Sequence, residues 1–332
     1  MKISFIIPAY NASKTILCCL DSIYSLHLKG DEYEVIVIDD RSTDNTVALV
    51  EDYASCHPNL VLLRQTENHR QGAARNRGIA NAKGKFIVFV DSDDETSQGV
   101  VEAIRLAEEK DLDMVAMRFA KIGDDGKNEE GKDLPYNPGT LFTGIEMQSE
   151  YPFWFTGPVA YVYRRSFLND VNYPFAEDLL YEDSDFVNVH LFYAKRMAYC
   201  DECGYVVHSN ANSTTNTISY KNLADYALLG TRMLKIYSSL ADKASKYAKV
   251  TLEGGSYNIM EAFRKLVKLG SRTEVRAFYD RLDEYYERKR LLCYREPAYC
   301  WTRWTRFCLR YRDLAILIIG IAIPVVRIKV KN

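Results

Sequence analysis

The sequence predicts an α/β protein with a mostly parallel central sheet flanked by helices, followed by a helical C-terminal extension. Three observations predict it. Short, nearly continuous apolar runs alternate with stretches of helical periodicity, the alternation that yields right-handed crossovers and parallel strands. Acidic residues gather where three of the apolar runs end, and in open α/β sheets functional groups sit at the carboxyl ends of strands. Finally, 332 residues with 47% hydrophobic and 27% charged side chains make a folded globular chain and exclude a disordered or collagen-like one.

Ile3–Pro8 reads as a strand buried on both faces, because it lacks polar alternation. Ser13–Leu26 follows with Ile16, Leu20, Ile23 and Tyr24 at helical spacing, behind candidate caps at Asn11 and Ser13. Tyr33–Asp39 is the second strand, and Asp44 is placed to cap the helix carrying Val47, Val50 and Tyr53. Leu60–Leu63, a helix near Gly72–Ala82 and the strand Phe86–Val90 repeat the pattern, as do helix Gln98–Lys110 and strand Met114–Phe119. Lys121–Pro138 breaks it with Gly, Asp, Asn and Pro and reads as a loop or excursion. Strand Val159–Tyr163, helix Asp183–Tyr193 and two short strands near Met197–Tyr199 and Tyr205–His208 return to the fold. Tyr220–Leu269 is helical, its stripe of Leu223, Tyr226, Leu229 and Met233 suited to a core. The expected organisation is an α/β domain over 1–215, a helical extension over 216–280 and a basic, aromatic-rich tail over 281–332.

A net charge of −2 argues against bulk electrostatic binding to nucleic acid. The charge is unevenly spread. Residues 281–332 hold 12 Lys and Arg against 5 Asp and Glu, which leaves 31 against 40, or −9, in residues 1–280. Eight cysteines do not make a dense disulfide framework. Cys18-Cys19 reads as a pair of core thiols, and Cys200-x-x-Cys203 lacks the second pair that a metal ribbon needs. Met1–Tyr10 carries no secretory signal pattern, so a reducing cytoplasm is the expected compartment.

Asp39-Asp40 ends the second strand, Asp91-Ser92-Asp93-Asp94 follows the fourth, and Glu182-Asp183 opens the helix after Leu179–Tyr181, with Asp185 two residues on. Any one of these could be a turn or a helix cap. Three on one sheet edge are harder to assign to turns, because crowded carboxylates repel unless a cation lies among them. Asp-x-Asp places hard oxygens on one side of a turn, which suits Mg²⁺ or Mn²⁺ bound together with substrate phosphates.

With these residues in view, the chain resembles family 2 of the inverting nucleotide-sugar glycosyltransferases, which have the Rossmann-like GT-A fold. The likeness runs through Ser4-Phe5-Ile6-Ile7-Pro8-Ala9-Tyr10-Asn11, Val35–Asp44, Gly72-Ala73-Ala74-Arg75-Asn76-Arg77-Gly78, Phe89–Asp94 and Tyr181-Glu182-Asp183, in that order over roughly residues 1–215. It implies that Pro8, Ala9 and Tyr10 line a base pocket, and that Asp40, or Asp39 one position earlier, accepts the base N3–H. It further implies Arg75 at the nucleotide, Asp91 and Ser92 at the ribose and Asp93 on a Mn²⁺ or Mg²⁺ ion, with Asp94 adding a ligand or orienting the sugar. Asp183, beside Glu182, resembles the general base. An acceptor hydroxyl is a weak nucleophile, so a carboxylate must take its proton as it attacks the anomeric carbon opposite the leaving diphosphate. His208 either completes the metal shell or ends an exposed strand, and Trp154 either floors an acceptor subsite or packs in the core.

The implied partners are a nucleotide-sugar donor, most simply a UDP-sugar, and a saccharide or lipid-linked saccharide acceptor of surface polysaccharide or glycolipid synthesis. Leu314–Val326 is too short to span a bilayer. Flanked by Arg288-Lys289-Arg290, Trp301, Arg303, Trp304, Arg306, Arg310 and Arg312, it suits either an interfacial helix on an anionic membrane, on the cytoplasmic face, or a helix docked on the catalytic domain with its arginines solvated. Two other enzyme classes fit less well. A sugar-1-phosphate nucleotidyltransferase needs a Gly-rich basic loop after the first strand, where Pro8-Ala9-Tyr10-Asn11 stands, and a haloacid-type phosphatase carries Asp-x-Asp on its first strand rather than its fourth. A non-catalytic nucleotide-sugar-binding or membrane scaffold subunit is the alternative outside enzymes, and it predicts lost carboxylates.

Overall fold

The first strand, β1 (Ile3–Ala9), is buried along its whole length because it lies between β2 (Tyr33–Asp39) and β4 (Phe86–Phe89), parallel to both. A strand covered on both faces gains nothing from alternation, which is why its sequence is a continuous apolar run. The computed structural model describes residues 2–123, 128–129, 134–151, 157–209, 219–269, 271–285, 307–308 and 310–316. These fall into two units, Met1–Ala211 and Asn212–Asn332.

In the first unit, α1 (Ile16–Tyr24), α2 (Thr46–Cys56) and α3 (Arg70–Asn81) connect β1, β2, β3 (Leu60–Arg64) and β4 in the predicted order. The chain continues through β5 (Glu95–Thr96), α4 (Gly99–Glu109), β6 (Met114–Ile122), β7 (Asn128–Glu129) and α5 (Gly144–Glu150). A single 3₁₀ turn leads into β8 (Tyr161–Arg164), followed by α6 (Arg165–Val171), α7 (Glu182–Tyr193) and β9 (Met197–His208). The sheet order is β3-β2-β1-β4-β8-β6-β9-β5, with β7 on the side of β6. β1, β2, β3, β4, β6 and β9 run one way, and β5, β7 and β8 run against them. This is the mostly parallel sheet that the alternation predicts, with helices packed on it.

Several local expectations change. The two short strands after α7 are one strand, because Asp201 and Glu202 bulge out of β9 while Cys200 and Cys203 pair with consecutive residues of β6. Part of Lys121–Pro138 is sheet, as β7 pairs with β6. Asn11 and Ser13 do not cap α1. Asn11 Oδ1 instead accepts the Thr43 N–H at 2.8 Å, and Asp44 Oδ2 accepts that of Ser13 at 3.1 Å, joining the loops after β1 and β2. Asp44 does serve the start of α2, accepting the Thr46 N–H at 3.0 Å. Burial would raise its carboxyl, but the Thr46 and Ser13 bonds outweigh that and hold it at about 2. Of the two adjacent thiols only Cys19 is core; Cys18 is exposed. The helix α5 has a legible signal that the periodicity reading passes over, since Thr143 and Glu146 form a reciprocal capping box.

The second unit contains α8 (Tyr220–Ser239), α9 (Lys246–Leu269) and α10 (Arg272–Tyr285). Leu223, Leu229 and Met233 are buried as predicted, with Tyr226 only partly so. The pair α8 and α9 approach closely at Gly230, where a Cβ would meet the Gly255 carbonyl at 2.5 Å, so neither position has room for a side chain. Asp225, fully buried, is paired with Arg281 Nε at 3.0 Å. From the tail, residues 307–308 and 310–316 pack on α10. Cys308 and Ala315 are buried, the Tyr279 hydroxyl donates to the Cys308 carbonyl at 2.9 Å, and Arg312 is forked between Asp280 and Asp283. These residues lie on the helical extension rather than on the catalytic domain, and Arg312 is paired with protein carboxylates rather than solvated. Arg288–Arg290, Trp301–Arg306 and 317–332, together with Trp154, lie outside the described residues. Among the described residues no helix is long and apolar enough to cross a membrane.

Candidate active site

Because β2, β1 and β4 are adjacent and parallel, their carboxyl ends deliver Pro8-Ala9-Tyr10, Asp39-Asp40 and Asp91–Asp94 to one edge. Pro8 and Ala9 are buried within β1, whereas Tyr10 just beyond it is 51% exposed. Asp39 and Asp40 are both buried and do different work. Asp39 closes its own turn by accepting the Ser42 N–H at 3.2 Å. Asp40 donates its N–H to the Ala9 carbonyl at 2.8 Å, and its Oδ1 accepts from Gln65 Nε2 at 2.7 Å and the His69 N–H at 2.9 Å. Gln65 and His69 are residues that sequence reasoning missed, since neither belongs to a recognisable pattern.

Arg75 is the centre of the arrangement. Its side chain is 2% exposed, with Nη2 on Asp91 Oδ1 at 2.7 Å and Nη1 on Glu182 Oε1 at 2.6 Å. The guanidinium also lies over the Phe175 ring at 5.4 Å. One buried cation thus joins the acid at the end of β4 to the first residue of α7. The resemblance places Arg75 at a nucleotide; in the structure its two terminal nitrogens are committed to protein carboxylates. Gly72, one turn earlier, permits this approach, because a Cβ there would meet the Ala176 carbonyl at 2.3 Å and Glu182 Cγ at 3.1 Å.

Asp91–Asp94 form a turn closed by the Asp94 N–H on the Asp91 carbonyl at 3.1 Å. Asp91, Ser92 and Asp93 are partly exposed, while Asp94 is buried. Asp94 faces inward, accepting the Tyr205 O–H at 2.8 Å and the His208 N–H at 2.8 Å. Burial and then the Asp91 charge push the Asp94 carboxyl up to about 8, against those two bonds. β9 therefore brings the backbone N–H of His208, rather than its imidazole, to the acidic turn. Its imidazole Nε2 sits 2.9 Å from Glu95 Oε1, without the alignment of a hydrogen bond.

The helix α7 begins with Glu182, Asp183 and Asp185, a first turn whose carboxylates complement the positive end of the helix dipole. Neither Glu182 nor Asp183 is the N-cap. Tyr181 holds that position in the left-handed conformation at φ 64°, and Asp183 Oδ1 accepts the neighbouring Ser184 N–H at 2.8 Å. Burial raises both the Glu182 and the Asp183 carboxyl groups, and the Arg75 charge opposes the rise in each. Behind them Phe186 stacks on Phe175 at 3.7 Å and meets the His190 ring at a tilt at 4.0 Å, fixing the helix from the core side. Burial lowers His190 to about 4, so this imidazole is neutral at pH 7.

Mg²⁺ or Mn²⁺ needs few protein ligands, because it is held by one or two carboxylates together with substrate phosphates and water. Asp93 and Asp91, partly exposed on one turn, meet that requirement in chemistry. Among the described residues, no three His, Cys, Asp or Glu side chains form a closed metal cage.

The sequence comparison decides the family. The model of glycosyl transferase family 2 matches residues 4–171, just over half of the chain and all of the acidic edge except α7 and β9. The chain belongs to glycosyl transferase family 2. The uncharacterized glycosyltransferase YibD of Escherichia coli (strain K12) is 32% identical to this family member over 259 residues, 74% of each chain. EpsJ of Bacillus subtilis (strain 168), also an uncharacterized glycosyltransferase, is 32% identical over 233 residues, 67% of this chain and 65% of EpsJ. The crystal structure of Staphylococcus aureus TarS 1–349 in complex with UDP-GlcNAc superposes with a TM-score of 0.66 at 22% identity, over 97% of this chain and 91% of that one. That likeness gives the family 2 glycosyltransferase its GT-A fold.

Proposed function

We propose that this glycosyltransferase is an inverting, divalent-metal-dependent enzyme that moves a sugar from a UDP-sugar to an acceptor hydroxyl, in the synthesis of a surface polysaccharide or glycolipid. The observation that supports the reading is the Arg75 bridge, which joins Asp91 to Glu182, the neighbour of Asp183, at one edge; in this reading Asp91 faces the donor and Asp183 the acceptor. Tyr10 covers the base and Asp40 accepts its N3–H, while Asp91 and Ser92 meet the ribose. Asp93, with Asp91 nearby and His208 as the third candidate, would hold Mn²⁺ or Mg²⁺, which when bound supplies positive charge to the leaving diphosphate.

Asp183 takes the acceptor proton. Burial raises its carboxyl, which makes it a stronger base than a surface carboxylate, and the Arg75 charge opposes that rise. The acceptor oxygen attacks the anomeric carbon from the face opposite the diphosphate, the C–O bond to the diphosphate breaks, and the configuration inverts in one displacement. No nucleophilic Ser or Cys is needed. Residues 1–215 form the catalytic domain in this reading and 216–280 its helical extension, with the basic and apolar stretches of 281–332 outside 307–316 as the segment that would reach an anionic, cytoplasmic membrane face; the acceptor is a saccharide or lipid-linked saccharide, and no nucleic acid is involved.

The stereochemistry is directly observable. With α-linked UDP-glucose or UDP-N-acetylglucosamine and no acceptor, slow hydrolysis should release the β-anomer first, seen by proton NMR before mutarotation. Release of the α-anomer would exclude the single displacement.

A further inference from the structure

Tyr205 lies wholly inside the protein, at 0% exposure, yet its hydroxyl makes two bonds to the acidic turn. It donates to Asp94 Oδ2 at 2.8 Å and accepts the Asp91 N–H at 3.1 Å. Three residues on along β9, the His208 N–H occupies Asp94 Oδ1 at 2.8 Å. Both oxygens of Asp94 are thereby taken by β9, and the backbone of Asp91 is held by the same hydroxyl that holds Asp94. The strand β5 follows immediately, paired antiparallel with Tyr205 and Val206, so the turn is fixed from below and at its exit. The Cys19 thiol on the Asp91 carbonyl at 3.5 Å adds a contact from α1.

We infer that Tyr205 is a positioning residue for the donor's diphosphate end. It acts through Asp94, which serves as an internal strut for the Asp91–Ser92–Asp93 turn rather than as a ligand of metal or sugar. The inference rests on the proposed reading of this edge as a nucleotide-sugar site. The chemistry of the turn requires such a strut. Asp91 and Asp93 are neighbouring carboxylates on one short turn, and without a fixed backbone they would splay apart. Removal of one hydroxyl leaves a buried N–H and a buried carboxylate oxygen unpaired, and the turn relaxes to satisfy them.

The test is calorimetric titration of UDP, with and without Mn²⁺, into wild type, Tyr205→Phe, Asp94→Asn and the double variant, with thermal midpoints measured alongside. In Tyr205→Phe and Asp94→Asn the Mn²⁺ concentration needed for half-maximal UDP binding should rise about tenfold each, while metal-free UDP affinity stays at the wild-type value. The double variant should rise about tenfold rather than a hundredfold, because both changes break one network. A folded Tyr205→Phe whose Mn²⁺ dependence matches wild type, whatever its thermal midpoint, would show that Tyr205 is core packing only and overturn the inference. Independent, multiplying effects in the double variant would overturn the role assigned to Asp94. Absence of Mn²⁺-dependent UDP binding by wild type would instead overturn the underlying functional reading, and the inference with it.

Discussion

Asp183→Asn should bind the donor as wild type does and lose turnover by about 10²–10⁴-fold, the usual contribution of a general base. The substitution keeps the shape of the side chain, and the amide oxygen still accepts the Ser184 N–H that Asp183 Oδ1 takes now. What disappears is the capacity to take a proton. In wild type, kcat should climb with pH through the Asp183 titration, since only the ionised form is a base. Burial raises that pKa, so the climb lies above the ordinary carboxylate range. Steady-state rates from pH 5 to 8, with UDP affinity measured separately, check both parts. An Asp183→Asn enzyme of near wild-type kcat would remove Asp183 from the chemistry.

The second large effect is expected at Arg75. Its guanidinium neutralises two carboxylates within the protein, and its loss leaves Asp91 and Glu182 facing one another across a buried space. Removing one partner of a buried ion pair costs on the order of 3–5 kcal/mol, and Arg75→Gln should be destabilised on that scale in urea unfolding. A lysine offers a point charge and cannot fork to two carboxylates, so Arg75→Lys should recover only part of the loss. The pH profile carries the mechanistic content. The Arg75 charge lowers the pKa of both Glu182 and Asp183, so its removal leaves them protonated to higher pH. The acid limb of kcat in Arg75→Gln should therefore move upward, and the activity lost at pH 6 should exceed that lost at pH 8. An unmoved limb would mean that Arg75 does not set the ionisation of the base.

The alternation of apolar runs and helical stripes made the parallel half of the sheet legible, because β1, β2 and β4 are enclosed by neighbours and have to be apolar throughout. β9 was read as two strands because the bulge at Asp201-Glu202 puts two exposed acids inside an otherwise apolar strand, and nothing in a linear pattern reports that a neighbour absorbs the extra residues. The antiparallel insertion of β8 between β4 and β6 was equally hidden, since direction is a property of connection rather than composition. At the candidate site, Asp40, Asp91, Asp93 and Asp183 stand out in the sequence by type and by their place at strand ends. Residues whose role is to hold those in place do not. Tyr205, Gln65 and His69 are ordinary by type and spacing, and their partners are 111, 25 and 29 residues away. Arg75 was recognised by motif, but its commitment to Asp91 and Glu182 emerged only in three dimensions.

The central claim is that the acidic edge binds a nucleotide through a metal-bridged carboxylate. The most direct measurement is a thermal-shift panel of UDP, GDP, dTDP and CDP on wild type and Asp93→Asn, each with and without Mn²⁺. UDP should stabilise wild type, strongly only when Mn²⁺ is present, by about 2.7 kcal/mol at a hundredfold excess over Kd, and should leave Asp93→Asn unchanged. Equal stabilisation of both proteins, or no response of wild type to any of the four nucleotides, would contradict that claim.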